Sequence, residues 1–112
     1  IYPKFAEGQI KKNVTKYLNG SFGSMIGIEL KNGVEAGKAF IDALSLHYHV
    51  ANIGDSRSLA IHPASTTHSQ LSEKEQLKAG VTPGYIRLCV GLEHPDDIIQ
   101  DLKLGLDAAS KV

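Results

Sequence analysis

The chain has 112 residues, a hydrophobic fraction of 42% and a charged fraction of 21%, which are typical of one globular domain and exclude a disordered or coiled-coil chain. Its 12 basic and 12 acidic residues cancel, so we expect no broad positive field that would attract nucleic acid or an anionic membrane. The single cysteine excludes an internal disulfide, and no apolar run approaches the ~20 residues of a bilayer span, so we expect a cytoplasmic protein.

The first residues predict a helix followed by a strand. Apolar side chains repeat at helical spacing at Ile10, Val14, Tyr17 and Leu18. Asn19-Gly20 ends this helix because the pair favours the left-handed backbone conformation. Residues 24–30 then alternate apolar and other side chains, which predicts a strand. Within it, Gly27 indicates a close neighbour on the less apolar face.

The middle of the chain predicts a second helix and two extended segments. Asn32 and Glu35 have the spacing of a capping box, and the apolar residues after them predict a helix over residues 33–47. Val50–Ile53 and Ser58–His62 are short apolar runs on either side of a turn, so we expect two strands or extended segments there.

The last part of the chain predicts a short helix, a strand and a long helix. Ser72 and Glu75 form another capping-box pair, and the alternation over residues 85–92 predicts a strand with one core face. Pro95 opens the final helix, whose apolar side is Ile98, Ile99, Leu102, Leu106 and Ala109. The order αβαββαβα predicts an α+β fold, a small and mostly antiparallel sheet with helices packed on one face.

Histidine and cysteine side chains raise two chemical hypotheses. The five histidines are His47, His49, His62, His68 and His94, and the closely spaced pair His47 and His49 has no cysteine or acidic ligand at a zinc-finger distance. We interpret them as surface or hydrogen-bonded residues. Cys89 is interpreted as a small residue packed on a sheet face rather than as a nucleophile. No phosphate-binding loop, dinucleotide-binding glycine motif or nucleophile-elbow motif is present.

Arg87 is the most informative residue because it stands in the middle of an apolar strand, where an unpaired guanidinium is costly to bury. Its partner is either an internal Asp or Glu or the carboxylate of a ligand, which a planar guanidinium binds with two parallel hydrogen bonds. Asn52, inside another apolar run, also needs a backbone or ligand partner if buried. Residues 62–68, HPASTTH, either line a cleft or form a surface turn.

Two segments resemble the carboxy-terminal domain of the cystathionine and methionine metabolism family of pyridoxal-phosphate enzymes. They are residues 51–68, which contain ANIGDSRSLAIHPASTTH, and residues 85–102, YIRLCVGLEHPDDIIQDL. Tyr2-Pro3 and GSFGSMIGIEL also resemble the start and first strand of that domain. Residues 52–55, Asn-Ile-Gly-Asp, are more similar to O-acetylhomoserine sulfhydrylases than to the lyases and cystathionine synthases, which usually have Ser-Leu-Gly there.

The resemblance implies that residues 1–112 are the C-terminal small domain of a larger fold-type I enzyme and that Arg87 binds the α-carboxylate of an amino-acid substrate. It also implies that Asn52 lies beside the same carboxylate and that Thr67 lines the pocket. The Schiff-base lysine, the phosphate-binding glycine segment and the aspartate that pairs with the pyridine nitrogen would lie in an upstream large domain, so no catalytic or cofactor-binding residue is expected here. A homotetramer is implied as well.

The activity implied is that of a transferase in methionine biosynthesis, which converts O-acetylhomoserine and sulfide into homocysteine and acetate with pyridoxal phosphate as electron sink. A cystathionine synthase or a methionine or cystathionine γ-lyase is the alternative within the family. Two hypotheses of a different class are a stand-alone module that binds small carboxylates through Arg87 and a purely structural assembly domain.

Overall fold

Four helices and four strands follow one another in the predicted order αβαββαβα in a computed structural model, which describes residues 1–112. The elements are α1 (Gly8–Tyr17), β1 (Met25–Glu29), α2 (Gly33–Ala43), β2 (Tyr48–His49), β3 (Leu59–Ile61), α3 (Glu73–Lys78), β4 (Tyr85–Cys89) and α4 (Pro95–Ala109). Two 3-10 turns, Pro3–Phe5 and Pro63–Ser65, complete the secondary structure. The predicted α+β class is confirmed.

The four strands form one sheet in the order β1-β4-β3-β2, with β4 inside it. Both neighbours of β4 are antiparallel to it, and only the two-residue strand β2 pairs in parallel, with β3. The prediction of a mostly antiparallel sheet is therefore confirmed. The register places Arg87 of β4 between Gly27 of β1 and Ile61 of β3.

The core lies between one face of the sheet and the helices α2 and α4. Ile86 and Leu88 of β4 point into it and meet Phe40 of α2, which is fully buried. Gly105 of α4 makes room for this ring, because a Cβ there would lie 2.8 Å from the Phe40 ring. The small residue thus lets the two helices approach, and the alternation of β4 sends its other side chains to the opposite face of the sheet.

Helix α1 lies outside this layer, because it packs on the Pro3–Phe5 turn and has no buried residue. Ile10 and Tyr17 of its apolar stripe are 66% and 69% exposed. Between the stripe and the turn runs a groove of about 400 Å³, lined almost entirely by apolar side chains. None of the four helices has the length and apolar character needed to cross a bilayer.

Several predicted boundaries are wrong, and long-range contacts explain them. Helix α2 ends at Ala43 rather than at residue 47, since residues 45–47 turn toward the carboxylate of Asp101 in α4 and donate hydrogen bonds to it. Val50–Ile53, expected as a strand or an extended segment, belongs to no strand and lies in a loop. Strand β4 ends at Cys89, and Leu92, predicted on its core face, is 87% exposed.

The helix ends test the capping predictions. The capping box of Ser72 and Glu75 is confirmed at the start of α3, and Asn19 has the predicted left-handed φ of 44° beyond α1. Asn32, by contrast, makes no capping hydrogen bond to α2, and its φ of −92° and ψ of 24° are not those of the extended backbone that a capping residue adopts. Its side-chain amide donates to the main-chain carbonyl of Val112. Ile99, placed by its spacing on the apolar side of α4, is 63% exposed.

Candidate carboxylate-binding site

Arg87 lies at the centre of the sheet face that points away from α2 and α4. The alternation of β4 places Tyr85 and Cys89 on the same face, and the register adds Gly27 beside the arginine. Gly27 has the close neighbour that its sequence context predicted, since a Cβ there would lie 2.7 Å from the Tyr85 hydroxyl. The Tyr85 ring therefore crosses over β1 next to Arg87.

The Arg87 guanidinium has no acidic partner in the structure. None of the ion pairs of the chain involves Arg87. Its Nη2 donates to the main-chain carbonyl of Asn52 at 3.1 Å, while its Nε is buried and bonded to nothing. Of the two partners considered for this residue, an internal carboxylate is thus not found, and one buried donor stays open.

Asn52 meets Arg87 through its main chain rather than its side chain. The loop of residues 50–58, between β2 and β3, brings the Asn52 carbonyl to the arginine and to Cys89, whose Sγ donates to the same oxygen at 3.6 Å. The side-chain Oδ1 of Asn52 turns back and accepts from the Ile53 amide at 2.9 Å. The structure therefore brings Asn52 and Arg87 together, but the contact is made by the main-chain oxygen of Asn52 and not by its side chain.

Thr67 is exposed, and no hydrogen bond joins it to Arg87 or Asn52; its Oγ1 contacts His68 Nδ1 at 2.8 Å. The HPASTTH segment around it is held by His62, a fully buried ring whose Nδ1 contacts Ser65 Oγ and whose Nε2 contacts the Pro83 carbonyl. The buried His62 ring therefore fixes the start of this loop. The pocket role of Thr67 stays a prediction.

Glu93 holds the far end of the loop and was missed by the sequence analysis. Its two carboxylate oxygens accept from the Ser58 amide at 2.7 Å and the Ser58 hydroxyl at 2.8 Å. The hydrogen bond from the Ser58 amide, reinforced by the hydroxyl and opposed by partial burial, lowers the pKa of Glu93, so it is ionised at neutral pH. The two residues are 35 positions apart, so no local sequence signal relates them.

The histidines occupy separate environments. His47 is buried with its Nδ1 at 2.7 Å from Asp101 Oδ2, and His94 caps α4 by accepting from the Asp96 amide. No three His, Cys, Asp or Glu side chains come together in a way that would hold a metal ion. Two buried side-chain nitrogens of the chain have no hydrogen-bond partner, Nε of Arg87 and Nε2 of His47.

These features define a small α+β domain whose free sheet face carries a partly unpaired arginine. The family model of the Cys/Met metabolism PLP-dependent enzymes matches residues 1–107, and the chain belongs to this family. The family resemblance seen in its motifs is thereby confirmed.

The relatives refine this placement. An O-acetyl-L-homoserine sulfhydrylase of Leptospira meyeri is 54% identical over 106 residues, which is 94% of this chain and 24% of that protein. An L-methionine gamma-lyase of Fusobacterium nucleatum subsp. polymorphum is 49% identical over 77% of this chain and 22% of its own length.

Among solved structures, one from Campylobacter jejuni subsp. jejuni, assigned as an O-acetylhomoserine (thiol)-lyase, superposes with a TM-score of 0.82 at 45% identity. The superposed region covers 95% of this chain and 25% of the Campylobacter chain. That structure contains N'-pyridoxyl-lysine-5'-monophosphate. The chain therefore spans about a quarter of the length of the proteins that it matches.

Proposed function

We propose that this chain is the C-terminal small domain, residues 1–112, of a pyridoxal-phosphate-dependent O-acetylhomoserine sulfhydrylase and that it binds the α-carboxylate of the amino-acid substrate through Arg87. The overall reaction would join sulfide to the carbon skeleton of O-acetylhomoserine, with release of acetate and formation of homocysteine. The similarity to sulfhydrylases over most of the chain supports the choice of reaction.

The unpartnered Nε of Arg87 is the observation that carries this proposal. A buried guanidinium N–H without an acceptor is unfavourable, and a carboxylate offers two oxygens in the geometry that the planar group requires. Because the neighbouring Nη2 has only a neutral carbonyl as its acceptor, a substrate carboxylate would supply the missing charge. Such a grip fixes the orientation of the substrate carbon next to the carboxylate, which lowers the entropic part of the barrier.

The residues of this chain do not fit the task of holding pyridoxal phosphate, which the family uses as cofactor. A lysine that binds the cofactor must lie beside the substrate, but every lysine here is exposed on a helix, a 3-10 segment or a turn, and none lies on a strand of the sheet. We therefore derive no chemical step through the cofactor from this chain. Its contribution is the carboxylate side of the site.

The pocket around Arg87 is incomplete within these residues. None of the five cavities of the chain is lined by Arg87, whereas amino-acid ligands bind in clefts that cover most of their surface. We infer that an upstream large domain of the same polypeptide supplies the facing wall, within a homotetramer. Cys89, a free buried thiol, suits the reducing cytoplasm as the site of such an enzyme.

A second candidate is a γ-lyase that acts on methionine or cystathionine, and the observation that favours it is the 49% identity to an L-methionine gamma-lyase. The two candidates share the Arg87 contact and differ in the second substrate. Homocysteine formation from O-acetylhomoserine and sulfide, assayed beside the breakdown of methionine by the same preparation, distinguishes them.

Arg87→Lys in the full-length enzyme tests the carboxylate role. Lysine keeps the charge but loses the two-nitrogen fork, so we expect a higher KM and a kcat/KM lowered at least about tenfold, or ~1.4 kcal/mol. Steady-state kinetics with O-acetylhomoserine gives the result, and a thermal melt of the variant controls for folding. An unchanged kcat/KM would remove Arg87 from the site.

A further inference from the structure

The loop that brings Asn52 to Arg87 is not held in place by packing. All residues from Val50 to Gly54 are exposed, and Gly54 has a φ of +77° with open space where a Cβ would stand. A segment with so little buried surface is expected to open readily unless polar contacts tie it down. Polar contacts must therefore keep the Asn52 carbonyl at the arginine.

Arg57 joins the two ends of this loop. Its guanidinium lies over the ring of Tyr48, in the strand before the loop, with 4.6 Å between Cζ and the ring centroid. The same guanidinium contacts Asp55 near the tip, from Nη2 to Oδ2 at 3.3 Å and from Nε to Oδ1 at 3.4 Å. Asp55 Oδ1 also accepts from the Arg57 amide at 2.9 Å, which closes the turn.

The remaining contacts fix the stems of the loop and Ser56, whose carbonyl accepts from the Leu92 amide at 2.8 Å. The Tyr48 amide donates to the Ser58 carbonyl, and Glu93 holds Ser58 from the other side. Side chains link the two arms of the loop through the contact of Arg57 with Tyr48 and Asp55. This Tyr48–Arg57–Asp55 contact is here called the loop brace. The chain has two arginines, and both of them therefore meet this loop.

We propose that Arg57 is a positioning residue of the carboxylate site: through Tyr48 and Asp55 it holds the loop that places the Asn52 carbonyl beside Arg87. This inference rests on the proposed function of Arg87. Arg57 touches neither the ligand nor the reacting atoms, so its effect is on how much order the loop must gain when a carboxylate binds.

Kinetics of the full-length enzyme with four variants tests the loop brace. Tyr48→Ala and Arg57→Gln each remove it, and we expect each to raise KM for the amino-acid substrate about threefold to tenfold with kcat within about twofold, the size of one exposed cation–π contact with its ion pair. Tyr48→Phe keeps the ring face and is expected to retain the parental KM. The double variant is expected to be no worse than either single one, since both act through one contact.

Different outcomes would contradict the carboxylate site at Arg87 and the loop brace. If Arg87→Lys leaves kcat/KM unchanged in the same series, the carboxylate site itself is wrong and the inference falls with it. If Arg87→Lys is impaired but Tyr48→Ala and Arg57→Gln keep the parental KM, only the loop brace is wrong. Positioning through the ring would also be contradicted if the variants lost kcat and melted at a lower temperature than the parent. A Tyr48→Phe variant as impaired as Tyr48→Ala would contradict it as well.

Discussion

Asp101 accepts more hydrogen bonds than any other carboxylate in the chain. Its oxygens take the amide and hydroxyl of Ser45 and the amide and Nδ1 of His47, all between 2.7 and 3.0 Å. Burial alone would raise the pKa of Asp101, but the bonds from His47, followed by those from the main chain of residues 45 and 46, outweigh burial and hold the pKa far below its ordinary value. This residue fixes the segment that leads from α2 into β2.

The pH dependence of stability follows from the sign of that shift. A carboxyl with a lowered pKa in the folded state takes up a proton on unfolding in acid, so its stabilisation is present above about pH 4 and is lost as the pH falls below it. We expect Asp101→Asn to cost about 1.5–3 kcal/mol at neutral pH and to flatten the loss of stability between about pH 5 and 2.

Urea unfolding at a series of pH values measures both effects. Asp107→Asn, at an exposed position of the same helix, is the matched control and should keep the parental slope. A parental acid slope in Asp101→Asn would show that Asp101 is not the group that responds.

At the level of elements, α1 is the helix whose stability the fold explains least. Isolated helices shorter than about 12–15 residues are marginal in water, and this one has 10 residues and no buried side chain. Its stripe of apolar side chains faces a groove rather than the core. The pattern that predicted the helix was correct, but a stripe of this kind does not reveal whether another element covers it.

Hydrogen exchange of the 112-residue chain tests this description of α1. We expect the amides of α1 to be at least about 100-fold less protected than those of β4, because α1 can open without disturbing the core. The amides of α2, a helix of similar length that packs on the sheet, provide the internal reference. Equal protection in α1 and α2 would show that the groove is covered in solution.

The elements also show where prediction from sequence succeeds. The presence of strand β4, the capping box of Ser72 and Pro95 at the start of α4 have signals within a few residues, and all three were predicted correctly. The ends of α2 and β4 depend on partners more than 30 residues away, which local patterns do not contain. The loop brace had a weak local signal in the Asp-x-Arg spacing, but its Tyr48 contact had none.

At the level of the whole molecule, the two faces of the sheet differ in how much of each is covered by other elements. One face is closed by α2 and α4, and the other presents Arg87 without an acid and without a cavity around it. Family membership could be inferred from the sequence because the motifs cover nearly all of it. The direct contact of Arg87 with a main-chain atom could not, since side-chain chemistry does not predict which carbonyl a loop presents.

The intact mass of the polypeptide in its source extract tests the domain assignment. We expect a chain about four times the length of this one, as in the relatives, that carries the visible absorbance of bound pyridoxal phosphate. A colourless product of 12.1 kDa would contradict this assignment and favour the stand-alone carboxylate-binding module.

The hydrogen bond from Arg87 to the Asn52 carbonyl also affects how the site responds to mutagenesis. That oxygen holds one side of the guanidinium in place, and it belongs to the peptide bond rather than to the asparagine side chain. Every amino acid placed at position 52 brings the same main-chain acceptor with it. An alanine scan would therefore report only on the Asn52 side chain, whose Oδ1 accepts from the Ile53 amide, and would leave the acceptor that Arg87 contacts unchanged.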